Sequence, residues 1–310
     1  MKRDSSIRHS GARRPAGSLL LRESRQAYLF VAPLVVILFG LVGYPFWVAL
    51  TTSLTDKMIG YPSKFVGLRN FRDAIAEPAF RYSLFNVVFY TGVSLVFKFI
   101  LGMGMALLLN SRIRGRGFFR GVLLLPWILP TVICALIWFC MFNDMRGIIN
   151  QILLTVGLIR EPIPWLAGRS TALLSVTYVN IWKGFGFFGV CLLAALQTVP
   201  PELYDAAAVD GASPWNTFMN VTLPCIKDTV LLVTVLSTIW TMNDFQIIYI
   251  LTKGGPGYST QIPATLTYEI GVEGGFLGRG LAVSILFFPL QLLIILGAYY
   301  LMRKDGAYGR

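Results

Sequence analysis

Apolar residues gather along this chain in six long blocks, at about positions 27–53, 83–110, 118–142, 172–199, 224–252 and 277–302. Each is near or above the roughly 20 residues that a helix needs to cross a bilayer. Lipid offers no water to pair a free backbone, so helices are the expected form of every block. Prolines at 33, 45, 126, 130 and 289 should kink or terminate these helices. The pattern therefore predicts an all-α, polytopic membrane protein with six transmembrane helices. It divides into a basic tail (1–26), a first span (27–53), a polar loop (54–82), a core of five spans (83–302) and a short tail (303–310).

One polar stretch stands out between the fourth and fifth blocks, over 200–224. Pro200-Pro-Glu-Leu-Tyr-Asp-Ala-Ala-Ala-Val-Asp-Gly-Ala-Ser-Pro-Trp215 opens with two prolines, which suit the first turn of a helix. Leu203, Ala206, Ala207 and Asp210 follow at spacings of three and four, so Ala206 and Ala207 share a face with Leu203. Asp210-Gly211 reads as a helix end, and Ser213-Pro214 as a cap and first residue of a second short helix carrying Trp215 and Phe218. The stretch predicts helix, glycine hinge, helix. An interfacial amphipathic helix is the alternative. However, Glu202, Asp205 and Asp210 stand there without Lys or Arg until Lys227, which suits a protein partner better than an anionic leaflet.

Composition and charge narrow the class. The chain has 310 residues, is 55% hydrophobic and 14% charged, and carries a net charge of +12. That hydrophobicity excludes a disordered chain, and the basic balance does not make a nucleic-acid binder. Lys2, Arg3, Arg8, Arg13, Arg14, Arg22 and Arg25 crowd the beginning, which reads as a retained cytoplasmic tail beside anionic lipid. The apolar run after it is too long for a signal peptide and lacks a small-residue cleavage site. With the positive-inside rule, both termini, the Arg112–Arg120 turn and the acidic 202–210 stretch face the cytoplasm. Cys134, Cys140, Cys191 and Cys225 lie within or at the ends of spans without metal-ligand spacing. No HExxH or Ser-His-Asp set is present, and His9 is the sole histidine.

Ionisable groups inside a bilayer are costly and mark cavities or pairs. Lys98, Lys183 and Asp244 qualify. Lys98 is read as snorkelling to an interface along its apolar stem. Asn180-Ile-Trp-Lys-Gly-Phe-Gly-Phe187 and Thr241-Met-Asn-Asp-Phe-Gln246 should loosen the fourth and fifth spans and expose backbone. A Lys183–Asp244 ion pair that only joins helices is the alternative to a ligand site.

Asp205-Ala-Ala-x-x-Asp-Gly211-Ala, flanked by Leu196-Gln-x-Val-Pro200 and Phe218-x-x-Val-x-Leu-Pro224, resembles the EAA loop of permease subunits of binding-protein-dependent ABC importers. The family usually has Glu where this chain has Asp205. Asn243-Asp-Phe with Ile250-Leu-Thr-x-Gly-Gly-Pro256, and Phe119-Arg-x-x-Leu-Leu-Leu-Pro126-x-x-x-Pro130 with Phe142-Asn143, are similar to the carbohydrate-uptake branch. That branch includes the larger maltose-transporter permease and the glycerol-3-phosphate and sugar permeases.

The resemblance implies a permease-type core and no enzyme activity in this chain. It gives Glu202, Tyr204, Asp205, Ala206, Ala207, Asp210, Gly211, Ala212 and Trp215 an ATPase-coupling role. It places a substrate site at Asn180, Lys183, Gly184, Phe187, Ser237, Trp240, Thr241 and Asp244. Lys183 stands where the maltose permease has an apolar residue, and Asp244 where it has asparagine, so an acidic sugar or a polyol is as open as an oligosaccharide. The implied partners are a second permease subunit, a dimeric cytoplasmic ATPase that binds ATP and Mg, a periplasmic or lipid-anchored substrate-binding protein, and lipid. No cofactor is expected in this chain, and the implied location is the bacterial inner membrane. A lipid-directed membrane enzyme and a channel are the other classes. The first needs a nucleophile or metal set not found here, and the second needs no docking stretch.

Overall fold

The structure, a computed structural model, describes residues 28, 30–111 and 114–306. The basic tail expected at 1–26, Arg112 of the basic turn and the last four residues lie outside these. The chain forms two compact units, divided after Thr51.

In the first unit the described residues belong to one helix, α1 (Phe30–Ser53). It is apolar on all sides and takes a π-helical turn at Phe39–Gly43. Helices that are hydrophobic all round belong in lipid or a deep core.

The second unit contains the other elements. A loop with a single bridge between Thr55 and Phe65 leads to α2 (Arg69–Ala76). Pro78 then opens α3 (Pro78–Asn110), starting the helix several residues before the apolar block does. The block at 118–142 is not one straight span. It forms α4 (Arg116–Ile128) and α5 (Thr131–Met141), bent by 93° at the break. Pro130 lacks an N–H and pushes Leu129 out of the helical region, to φ −65°, ψ 141°. Next come α6 (Ile148–Thr155) and the continuous α7 (Ala172–Leu196). The stretch at 200–224 gives α8 (Pro201–Val209) and α9 (Pro214–Thr217), separated by Gly211 at φ +68°. Ser213 caps α9, accepting from the Asn216 N–H at 3.2 Å. A π-helical turn, Phe218–Thr222, joins α9 to α10 (Leu223–Met242), then α11 (Phe245–Thr252), α12 (Pro263–Tyr268) and α13 (Leu277–Gly306) follow. Among the described residues five helices are long and apolar enough to span a membrane, and the bent pair makes a sixth if counted as one span.

Helices α3 and α7 pack along most of their lengths, and small residues set how closely. A Cβ on Gly102 of α3 would overlap Phe188 of α7, and one on Gly189 of α7 would overlap Met105. Two apolar cores lie along this pair. One contains Val87, Tyr90, Val176, Val179, Ile247 and Ile248, while the other contains Met105, Leu109, Phe188, Leu192, Ile226 and Val233. Among the polar residues along these helices are Ser94 and Lys98 of α3, Asn180 and Lys183 of α7, and Ser237 and Thr241 of α10. The result is a polar layer within the bundle.

Candidate functional site

The polar layer opens into a cavity of about 600 Å³. All eight residues expected at a substrate site line it: Asn180, Lys183, Gly184, Phe187, Ser237, Trp240, Thr241 and Asp244. Helix α7 supplies the first four, and the end of α10 and the following break supply the rest. Among the remaining lining groups are Lys98, Trp127, Thr131 and Gln246. One wall is aromatic, with Phe187 5.0 Å from Trp240 and 5.9 Å from Trp127 between ring centroids.

The break between α10 and α11 is built by side chains. The α-helix ends at Met242, and Asp244 caps the next one, Oδ1 accepting from the Ile247 N–H at 3.4 Å. Its other oxygen, Oδ2, accepts from Tyr90 Oη at 2.8 Å and from Asn180 Nδ2 at 2.7 Å. One carboxylate thus ties α11 to both α3 and α7. The fifth span loosens where its sequence said it would.

The fourth span does not. Helix α7 runs unbroken through Gly184 and Gly186, so the expected loosening there is corrected. The glycines make room for neighbours instead. A Cβ on Gly184 would overlap Lys98 Cε and lie 3.0 Å from Nζ, and one on Gly186 would lie 3.1 Å from the Leu123 carbonyl oxygen. The snorkelling expected of Lys98 is corrected too. Lys98 is only 4% exposed and donates to Thr241 Oγ1 at 2.9 Å. Nothing in the local sequence signals this, because Gly184 and Thr241 are distant in the chain. The Lys183–Asp244 pair does not form either. The Asp244 carboxylate is taken instead by Tyr90, Asn180 and the cap.

A second site candidate lies at the end of the bundle that carries α8 and α9. Glu202, Asp205, Ala206, Asp210, Gly211 and Trp215 are exposed, Tyr204 and Ala212 are half-buried, and Ala207 is buried. The expected common face of Leu203, Ala206 and Ala207 is therefore split. Tyr204 packs against the second apolar core and Ala207, three residues on, is buried, while Leu203 and Ala206 are exposed. Trp215, 65% exposed, leans on Phe218 at 5.9 Å between ring centroids. From Pro214 the chain then runs through the π-helical turn and α10 as one helical stretch to Met242 at the cavity. The four cysteines are free.

Residues 98–304 match the family described as "Binding-protein-dependent transport system inner membrane component". The trehalose/maltose transport system permease protein MalF of Thermococcus litoralis is 38% identical over 88% of this chain and 92% of its own. The sulfoquinovosyl glycerol transport system permease protein SmoG of Agrobacterium fabrum is 32% identical, over 86% and 87%. A solved bacterial ABC transporter involved in the import of the acidic polysaccharide alginate superposes with a TM-score of 0.76 at 26% identity, covering 92% of this chain and 98% of that one. The chain therefore belongs to the binding-protein-dependent transport system inner membrane components, as the integral membrane permease subunit of an importer whose ATPase is a separate subunit.

Proposed function

We propose that this subunit forms half of the translocation path for a sugar or related polyol and receives its drive from a cytoplasmic ATPase through residues 200–224. One observation carries the reading. The eight residues expected to touch substrate, drawn from two helices, line a single cavity walled by Trp127, Phe187 and Trp240. Flat aromatic faces suit the apolar face of a pyranose ring, and the polar layer suits its hydroxyls. Sugar transport in the names of MalF and SmoG, and in that of the alginate importer, supports the same substrate class.

Coupling follows from the long helical stretch. From Pro214 to Met242 it extends ~40 Å at the α-helical rise, enough to link knob and cavity. The ATPase dimer, on closing, would shift α8 and α9 as a body and tilt α10 against α3 and α7, opening the cavity to alternate sides. The complete machine on this reading holds a second permease subunit, an ATPase dimer and a substrate-binding protein, with both termini and α8 in the cytoplasm.

The test pairs topology with partner binding. A cysteine introduced at Ser213 should react with an impermeant reagent only in permeabilised cells, and one at the exposed Ser63 in intact cells. The ATPase should co-purify with the wild-type chain and be lost with Ala207→Trp. Labelling of residue 213 from outside, or undiminished ATPase capture by the variant, would remove the coupling assignment.

A further inference from the structure

The charges in the cavity form no ion pair with one another. Asp244 meets three neutral donors, the Tyr90 hydroxyl, the Asn180 amide and the Ile247 N–H. Lys98 is deeply buried, yet only Thr241 Oγ1 takes one of its three N–H donors. Lys183 lines the same cavity and makes no ion pair with Asp244. Both lysines line the cavity, and the end of the Lys98 side chain lies over Gly184, the residue after Lys183. The other polar groups used here, Asn180, Ser237 and Thr241, are neutral. Asn180 is 6% exposed, and its Oδ1 has no hydrogen-bond partner in the chain.

Two ammonium groups therefore share the cavity with one carboxylate, and that carboxylate is already engaged. A buried ammonium with unmet donors is costly unless something negative completes it. We propose that the substrate carries an anionic group, a carboxylate, sulfonate or phosphate on a sugar, seated against Lys98 and Lys183. The ring lies against Phe187 and Trp240, and a ring hydroxyl donates to Asn180 Oδ1. Charge-assisted hydrogen bonds from both lysines then fix the acidic end. Lys98 is the specificity residue that its own stretch of sequence conceals.

This inference rests on the cavity being the sugar site, and the experiment separates the two. The purified complex with its ATPase is titrated calorimetrically with methyl glucoside and with methyl glucuronide, which differ only by a carboxylate in place of the hydroxymethyl group. The glucuronide should bind at least ~10-fold more tightly, a gap of about 1.4 kcal/mol or more. Lys183→Gln should weaken the glucuronide at least ~10-fold more than the glucoside and so erase the preference, since only the glucuronide loses a charge-assisted contact. Lys183 is the safer variant to begin with, because it is not fully buried, and Lys98→Met should act in the same direction. Equal affinities that Lys183→Gln leaves unchanged would mean a neutral-sugar site, and this inference falls alone. A glucuronide preference that survives Lys183→Gln would put the anion elsewhere and also overturn it. Binding of neither probe would remove the sugar-site reading and this inference with it.

Discussion

Around the cavity, Asp244 and Lys98 are held by polar groups of other helices, whereas on α8 and the turn after it the acids stand exposed beside apolar residues. Asp244 takes hydrogen bonds from α3 and α7, and Asp205 lies open at the surface. Trp240 is part of an aromatic wall, while Trp215 and Leu203 project from the bundle end with no core to fill. The two regions use similar residue types for different partners. A buried polar layer costs stability unless it serves a ligand or a hinge. An exposed mixture of acids, small alanines and a tryptophan costs the fold almost nothing and is open to a partner protein.

The largest effect should come from the knob's own hinge. Gly211 has φ +68° and its N–H donates to the Ala208 carbonyl at 3.2 Å. Proline fixes φ near −65° and has no N–H, so Gly211→Pro cannot keep either feature. We expect full membrane insertion with uptake abolished and no stimulation of ATPase activity by the binding protein. Wild-type coupling in this variant would mean that the angle between α8 and α9 is irrelevant, and the contrast between the two regions would lose its basis.

Next in size is the anchor of the polar layer. Asp244→Ala removes the shared acceptor of Tyr90 Oη and Asn180 Nδ2 and also the cap of α11. Each buried donor left unmet costs about 1–3 kcal/mol, and a lost cap about 1 kcal/mol. The unfolding temperature in detergent should fall sharply, while Asp244→Asn, which keeps one oxygen, should fall less. Asp210→Ala on the knob should leave it unchanged, within about 0.5 kcal/mol. Equal melting of Asp244→Ala and wild type would show that the carboxylate does not hold the layer together.

These differences also separate what the sequence makes legible from what it hides. Apolar block length sufficed for the spans because lipid imposes one simple demand on every helix. The knob was readable as well, since Pro201, Gly211 and Ser213-Pro214 are local signals whose conformations need no distant partner. The break at Asn243–Asp244 is local in the same sense, because Asp244 caps the helix that follows it. The α4–α5 bend was only half readable: Pro130 announces a disruption but not its 93° angle. Lys98 and Gly184 defeated local reading entirely. Whether a lysine snorkels and whether a glycine loosens a helix depend on which faces of α3 and α7 meet. Here each supplies the other's explanation, as the glycine makes the space into which the lysine fits.

Gly184→Ala sharpens that point with a smaller effect. The added methyl displaces the end of Lys98, a flexible chain, and so should break its bond to Thr241 without breaking the fold. Overpacking of this kind costs about 1–3 kcal/mol. Uptake should drop clearly but not vanish, and the binding-protein stimulation of ATPase activity should persist. Loss of that stimulation would tie cavity and knob more tightly than the comparison allows.

The smallest effect should belong to Asp205→Asn. The side chain is exposed and makes no ion pair among the described residues, so the unfolding temperature should not move measurably. The shape of the knob is kept, because asparagine is nearly isosteric and lies outside the Tyr204–Ala207 face that packs inward. What changes is one negative charge at the surface proposed to meet the ATPase. Rim charges act mainly on association rate and on salt dependence. ATPase capture should weaken a few-fold at low ionic strength, and the difference should shrink towards 1 M salt, where the Debye length is about 3 Å. A variant indistinguishable from wild type at every salt concentration, while Ala207→Trp still abolishes capture, would make the seat one of shape alone. A variant that melts early would instead place Asp205 with Asp244, as an acid that serves the fold, and the distinction between the two regions would not hold at this residue.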